Sequence, residues 1–347
     1  MGKIVIKSNH RDRLVDCLKG YACLLVVFGH VIMGVRKAGG DIPYFSLLVE
    51  NFIWTFHVPL FMFLSGYVYH LTGEWKQKGS RIKFLKHKLL NLGIPYFFFA
   101  SIYIMINSFV SGVNNANKIS DVFSLWRTPI AQYWFLYALF ILFVLWSVLS
   151  IFLNNWQITL VLCVVNYILI ARGIGVPFLG VGIPHALCFG IGTCISKLMI
   201  EQWSVEKKME LVIAHVVLVG IFLYTNISGT MVIEDIEKII GISASIGLIS
   251  CVYKNKIFEN TFLVINSYSF PIYLLHTIFT AAIRILLSNV GISNYYIHVV
   301  LGMIFGLAVP IICAVIANKV PFLEFFIYPS GRIGSWNMGT SSRENVT

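Results

Sequence analysis

An all-α, polytopic membrane fold is predicted for this chain, and three observations predict it. Of its 347 residues, 58% are hydrophobic and only 12% charged, with a mean hydropathy of +0.81. Apolar runs long enough to cross a bilayer recur along almost the whole chain. The basic residues gather in the segments between alternate runs, as the positive-inside rule requires of cytoplasmic loops. A formal charge of +11 would suit a nucleic-acid partner if it sat on a soluble domain. Here the charge is interleaved with membrane-length spans, so orientation in the membrane explains it and nucleic acid is not expected.

With about 20 apolar residues per crossing, the chain divides into about ten transmembrane helices, near 14–35, 51–71, 89–110, 132–152, 157–172, 184–200, 211–226, 237–253, 262–287 and 297–318. Placing the N- and C-termini in the cytoplasm puts most of the 26 Lys and Arg residues inside. The clearest inside loop, Glu74 to Lys88, carries Lys76, Lys78, Arg81, Lys83, Lys86 and Lys88. The fifth and sixth spans are short, and the Gly- and Pro-containing stretches 172–177 and 180–184 also fit a re-entrant segment. The polar, basic start lacks a small-residue cleavage site and reads as leading into a retained first span. No repeat or linker is visible, so residues 1–347 are expected to form a single membrane domain, with spans over about 14–318, short cytoplasmic tails and no soluble appendage. The seven cysteines (Cys17, Cys23, Cys163, Cys188, Cys194, Cys251 and Cys313) lie in or beside apolar runs without metal-ligand spacing. They read as small packing residues, and no metal is expected.

The first span holds the strongest functional signal. Lys19 and His30 bracket a mostly apolar run, and an ionisable side chain inside a bilayer is costly enough to be a functional hypothesis by default. Eleven residues of helix turn through about 1100°, which leaves the two side chains roughly 20° apart on one face and about 16 Å apart along the axis. That spacing joins an anion site at the cytoplasmic rim to a base within the membrane. Asp16, one turn before Lys19, is placed to pair with it.

Other local patterns follow in order. The second span carries Phe56-His57-Val58-Pro59 and then Phe63-Leu64-Ser65-Gly66-Tyr67. Leu92-Gly93-Ile94-Pro95-Tyr96-Phe97 follows the basic loop. Tyr133-Trp134-Phe135-Leu136-Tyr137 opens the fourth span, and Tyr268-Ser269-Phe270-Pro271 leads to His276 in the ninth. In this order and spacing the set resembles acyltransferase family 3, the bacterial integral-membrane O-acyltransferases of the polysaccharide O-acetyltransferase type, over about residues 10–320. The resemblance implies about ten helices in the bacterial cytoplasmic (inner) membrane. It also implies transfer of an acyl group, acetyl from acetyl-CoA, to a sugar hydroxyl of an envelope glycan such as O-antigen, capsule or exopolysaccharide, or of a lipid-linked sugar. The family usually has Arg at the cationic position of the first helix, whereas this chain has Lys19, a point charge without Arg's bidentate fork.

The chemistry suits these residues. Acyl transfer from a thioester to a hydroxyl needs a base for the hydroxyl proton and donors for the developing oxyanion. His30 is the expected general base, by direct transfer or through an acyl-histidine. Lys19, with Arg81 and Lys83, is expected to attract the phosphates of CoA. His57, Trp134 and His276 are candidate substrate-binding residues. Each also has a structural reading: His57 and His276 as hydrogen-bonding partners between helices, Trp134 as part of an aromatic belt, Lys19 as a snorkelling residue, and Arg81 and Lys83 as orientation charges. Two other functions fit the topology. A transporter or flippase of a glycan or lipid-linked precursor would use the Pro- and Gly-interrupted spans, but matching halves and mid-span acidic residues are missing from the sequence. A non-enzymatic partner of a polysaccharide assembly system would have no use for an aligned cation and histidine.

Overall fold

The computed structural model describes residues 12–73, 80–114, 116–225 and 231–330; the N-terminal basic segment, Lys76, Lys78 and the end of the C-terminal tail lie outside these. The described elements are helical: α1 Arg13–Lys37, α2 Tyr44–Thr72, α3 Ser80–Lys88, α4 Ile94–Phe109, α5 Trp134–Leu149, α6 Asn155–Ala171, α7 Leu179–Gly182, α8 Ala186–Cys194, α9 Val205–Thr225, α10 Met231–Val252, α11 Lys256–Ser267, α12 Ser269–Asn289, α13 Tyr295–Ala317 and α14 Pro321–Ile327. Start signals are legible locally. Asp12 caps α1 by accepting from the Val15 N–H, Asn154 and Gln157 form a reciprocal capping box at α6, and the Asn294 side chain caps α13.

Of the ten expected spans, six correspond to helical runs long and apolar enough to cross a membrane: Arg13–Lys37, Tyr44–Thr72, Ser80–Phe109, Ala131–Leu149, Ser269–Asn289 and Tyr295–Ala317. The expected fifth span is α6, an apolar helix of 17 residues, and the sixth, seventh and eighth differ for physical reasons. Helices α9 and α10 run back through the charged stretches Glu206–Glu210 and Glu234–Lys238, which leaves each with a shorter apolar run than a full crossing needs. The expected sixth span is interrupted: α7 and a 3-10 turn containing Pro184 precede α8, which ends at Cys194.

The expected ninth span, 262–287, is two helices that meet at Tyr268. Here Pro271 falls in the first turn of α12, where its missing N–H costs nothing. Helix α11 lays its apolar face on α1, with Phe262 and Ile265 buried. The buried Asp16 accepts from Asn266 Nδ2 at 3.1 Å, and Arg13 pairs with Glu259 at 2.9 Å. The basic α3 continues into α4 through a π turn, Leu89–Gly93. Such turns mark sites where the helical ladder is locally adjusted, often near function.

Small residues set the close contacts, as they do where membrane helices meet. Helix α13 crosses α1 and α12 at Gly302 and Gly306, where a Cβ would press on Val31, Val27 and Thr280. Helices α2 and α8 approach through Gly66 and Gly192, each facing backbone of the other helix. One buried carboxylate is engaged at the end of the bundle: Glu50 receives two hydrogen bonds from Arg36, at 2.8 and 3.0 Å, and is 2% exposed. A bond to a charged partner contributes about 1.5–3 kcal/mol, and Arg36 retains contact with solvent, so Glu50→Ala is expected to cost toward the lower end of that range. A fall in the thermal midpoint of the detergent-solubilised protein would show it; an unchanged midpoint would mean the pair contributes nothing.

Candidate active site

The main cavity, about 450 Å³, lies among α1, α2, α4, α5, α12 and α13. Its lining follows α12 from Ser269 to Ile285, about 24 Å of helix, a length to set beside a hydrocarbon layer of roughly 30 Å. On α1 it begins at Val26 and continues through His30 to Lys37. The volume lies in the range of small-molecule sites.

His30 stands on the wall of this cavity, half-buried. Its ring meets the edge of Trp54 at a centroid distance of 5.3 Å and lies 5.0 Å from the His276 ring. Trp54 in turn meets the His57 ring edge-on at 4.7 Å. The four rings come from α1, α2 and α12 and form one aromatic cluster. His57 Nδ1 lies 2.8 Å from the Ile53 carbonyl, and His276 Nδ1 lies 2.9 Å from the carbonyls of both Ile272 and Tyr273. A carbonyl only accepts, so Nδ1 carries the proton in each ring and Nε2 keeps its lone pair. His276 is fully buried and its Nε2 has no partner among the described residues. Neither ring nitrogen of His30 is held by a described residue, which leaves the imidazole available to a ligand.

The turn just before α5 is pinned to α12 by reciprocal bonds. Tyr133 donates to the Leu274 carbonyl at 2.8 Å, Tyr273 donates to the Gln132 carbonyl at 2.5 Å, and Gln132 Nε2 donates to Thr277 Oγ1 at 2.6 Å. Ala131, directly before Gln132, has φ of 42°, a left-handed conformation that a non-glycine residue adopts only when its surroundings enforce it. Trp134 lines the cavity and stacks on His185 at 5.0 Å.

A model described as "Acyltransferase domain", that of acyltransferase family 3, matches residues 13–316, which include every helix that lines the cavity. The chain belongs to acyltransferase family 3. Nodulation protein NolL from Mesorhizobium japonicum is 31% identical over 155 residues, covering 44% of this chain and 40% of that protein. NolL from Sinorhizobium fredii is 28% identical over 155 residues, covering 43% and 40%. The matched region thus spans less than half the length of each relative. No solved structure matches the chain. With its apolar helices, membership in the family makes this a multi-pass membrane protein of an acyltransferase family.

Within this family 3 fold the sequence-predicted residues divide into two groups. His30, His57 and Trp134 line the cavity, and His276 lies directly behind His30. Lys19 is half-buried on α1, two turns before the first lining residue, Val26. Arg81, half-buried, and Lys83, exposed, lie on α3 away from the cavity wall. The sequence reading passed over Trp54, Gln132, Tyr273, Thr277 and Arg284, all of which face the cavity. Two of these carried a signal. Trp54 precedes His57 by three residues and so shares its helix face, and Arg284 is an arginine inside an apolar span.

Proposed function

We propose that this acyltransferase transfers an acetyl group from acetyl-CoA to a sugar hydroxyl of a cell-envelope glycan, in the bacterial cytoplasmic membrane and with His30 as general base. The observation that carries the reading is the position of His30: on the wall of a cavity nearly as long as the membrane is thick, its ring backed by the buried His276 and its nitrogens open to a ligand.

The acceptor hydroxyl hydrogen-bonds to a ring nitrogen of His30. As its oxygen attacks the thioester carbonyl, the imidazole takes the proton. The tetrahedral oxyanion collapses, the C–S bond breaks, and CoA leaves as the thiol with the proton that His30 held. The products are the sugar ester, CoA and neutral His30. Packing against Trp54 and His276 fixes the orientation of the imidazole, so little reorganisation is needed at the moment of reaction. Trp134 offers a face on which a sugar ring can stack, and His57, with Nε2 unprotonated, offers an acceptor to a second hydroxyl. With both termini cytoplasmic, the charges of Lys19, Arg81 and Lys83, which lie off the cavity wall, would draw the CoA phosphates toward the cytoplasmic side at long range. Lys19→Ala is therefore expected to raise KM for acetyl-CoA about tenfold, the loss of roughly 1.4 kcal/mol of phosphate binding, with a smaller change in kcat. An unchanged KM would reduce Lys19 to an orientation charge.

The test uses the host's surface glycan. Base-labile esters are measured by mass spectrometry and proton NMR in deletion and wild-type-complemented strains. An ester lost on deletion and restored by the wild-type chain supports the proposal and identifies the acyl group. Unchanged esters with less glycan exported would favour a flippase, the alternative for which a cavity of this length also provides a path.

A further inference from the structure

Arg284 has a place in the cavity that the chemistry at His30 leaves unused. It lies on α12 eight residues beyond His276, about 12 Å farther along the axis, and is 8% exposed. Its Nη2 donates to the Gly112 carbonyl at 3.1 Å. Gly112 has φ of 79°, a conformation that glycine adopts freely and that shapes the loop here. No described carboxylate pairs with Arg284, and the one described hydrogen bond leaves most of the five guanidinium donors unused. Among the described residues, the cavity lining contains Lys37 and Arg284 but no Asp or Glu. Its other polar groups near this end, Asn107, Asn114 and His298, are neutral or weakly basic. A buried guanidinium without a counter-charge is expensive, and its planar fork fits a carboxylate or phosphate through two parallel bonds.

We propose that Arg284, aided by Lys37 at the rim, is an acceptor-specificity site that binds an anionic group, the carboxylate of an acidic sugar or the phosphate of a sugar phosphate, while a hydroxyl of the same acceptor reaches His30. The inference rests on the acyl-transfer reading for its purpose, but its test reads binding alone. It can therefore fail while that reading stands, and it can succeed while that reading fails.

The full-length protein in nanodiscs is titrated with D-glucuronate, glucose 1-phosphate, D-glucose and CoA. Fluorescence of the tryptophans, of which Trp54 and Trp134 line the cavity, reports binding. Wild type, Arg284→Gln and Arg284→Lys are compared after thermal melts establish that all three are folded. One of the two anionic sugars is expected to bind wild type more tightly than glucose does, and which one it is separates a carboxylate from a phosphate source. Losing a charge-assisted bidentate contact is expected to weaken that sugar at least about tenfold in Arg284→Gln, with partial recovery in Arg284→Lys. CoA binding should be the same in all three. Equal binding of the anionic sugars by wild type and Arg284→Gln, glucose as tight as either anion, or no response to either anion would overturn the proposal. So would loss of CoA binding alone in Arg284→Gln, which would assign the site to the donor's phosphates.

Discussion

His30→Ala is expected to reduce glycan ester formation at least about a hundredfold while leaving the protein in the membrane at its normal level. General-base catalysis by a positioned side chain is worth roughly 10²–10⁴, and His30 is the cavity-lining histidine whose ring nitrogens no described residue engages. His57 and His298 are each tied to a backbone carbonyl through one ring nitrogen, and His276 is fully buried outside the cavity lining. Because His30 is half-buried at a cavity wall, its truncation leaves space next to an existing void and creates no new one in a packed core. The variant should therefore melt close to wild type. Ester content in complemented strains, normalised to membrane protein, reads the loss. Ester formation within severalfold of wild type by a stably folded His30→Ala protein would remove His30 from the mechanism.

Gly66→Leu and Gly192→Leu are expected to abolish accumulation of folded protein. A Cβ at Gly66 would run into the Phe189 carbonyl, and one at Gly192 into the Phe63 carbonyl. Backbone cannot move aside as the end of a flexible side chain can, and even ordinary overpacking costs about 1–3 kcal/mol. These two positions hold α2 against α8, and α2 carries Trp54 and His57 into the site. Gly220→Ala serves as the control, since no described atom lies within 4 Å of its added methyl and alanine is favoured over glycine inside a helix by about 0.5–1 kcal/mol. Fluorescence-detected size exclusion should show a monodisperse peak for Gly220→Ala and none for the two leucine variants. A normal peak for Gly66→Leu would mean that α2 and α8 lie farther apart than described.

How much of this was legible in the sequence varies with the kind of signal. The membrane class and the approximate positions of α1, α2, α5 and α13 follow from long apolar runs, which are local. The break at Tyr268 was not legible, because α11 is apolar on the face it lays on α1 and, read without its partner, merges with the start of α12. Helices α9 and α10 reach back into charged stretches because helix propensity does not stop where hydropathy does. Within the site, an intramembrane histidine was readable at His30 from cost alone, and the same argument applied to Arg284 would have singled it out. That His276 sits behind His30 could not be read, since it requires knowing how α12 turns against α1. Nor could the distance of Lys19 from the cavity wall: helical phase aligned it with His30, but phase says nothing about where the cavity ends along the axis.

We propose that His30, from within the membrane cavity, takes the proton of a sugar hydroxyl as the acetyl group leaves CoA. The most direct test is transfer in a purified system. Proteoliposomes containing wild type or His30→Ala are supplied with acetyl-labelled acetyl-CoA and with glycan isolated from the deletion strain, and base-releasable label in the glycan is counted over time. Label in the glycan, with release of free CoA, is expected for wild type, and near-background label for His30→Ala. Equal labelling by the two proteins, or no labelling by the wild-type chain while the glycan crosses the bilayer, would contradict the proposal.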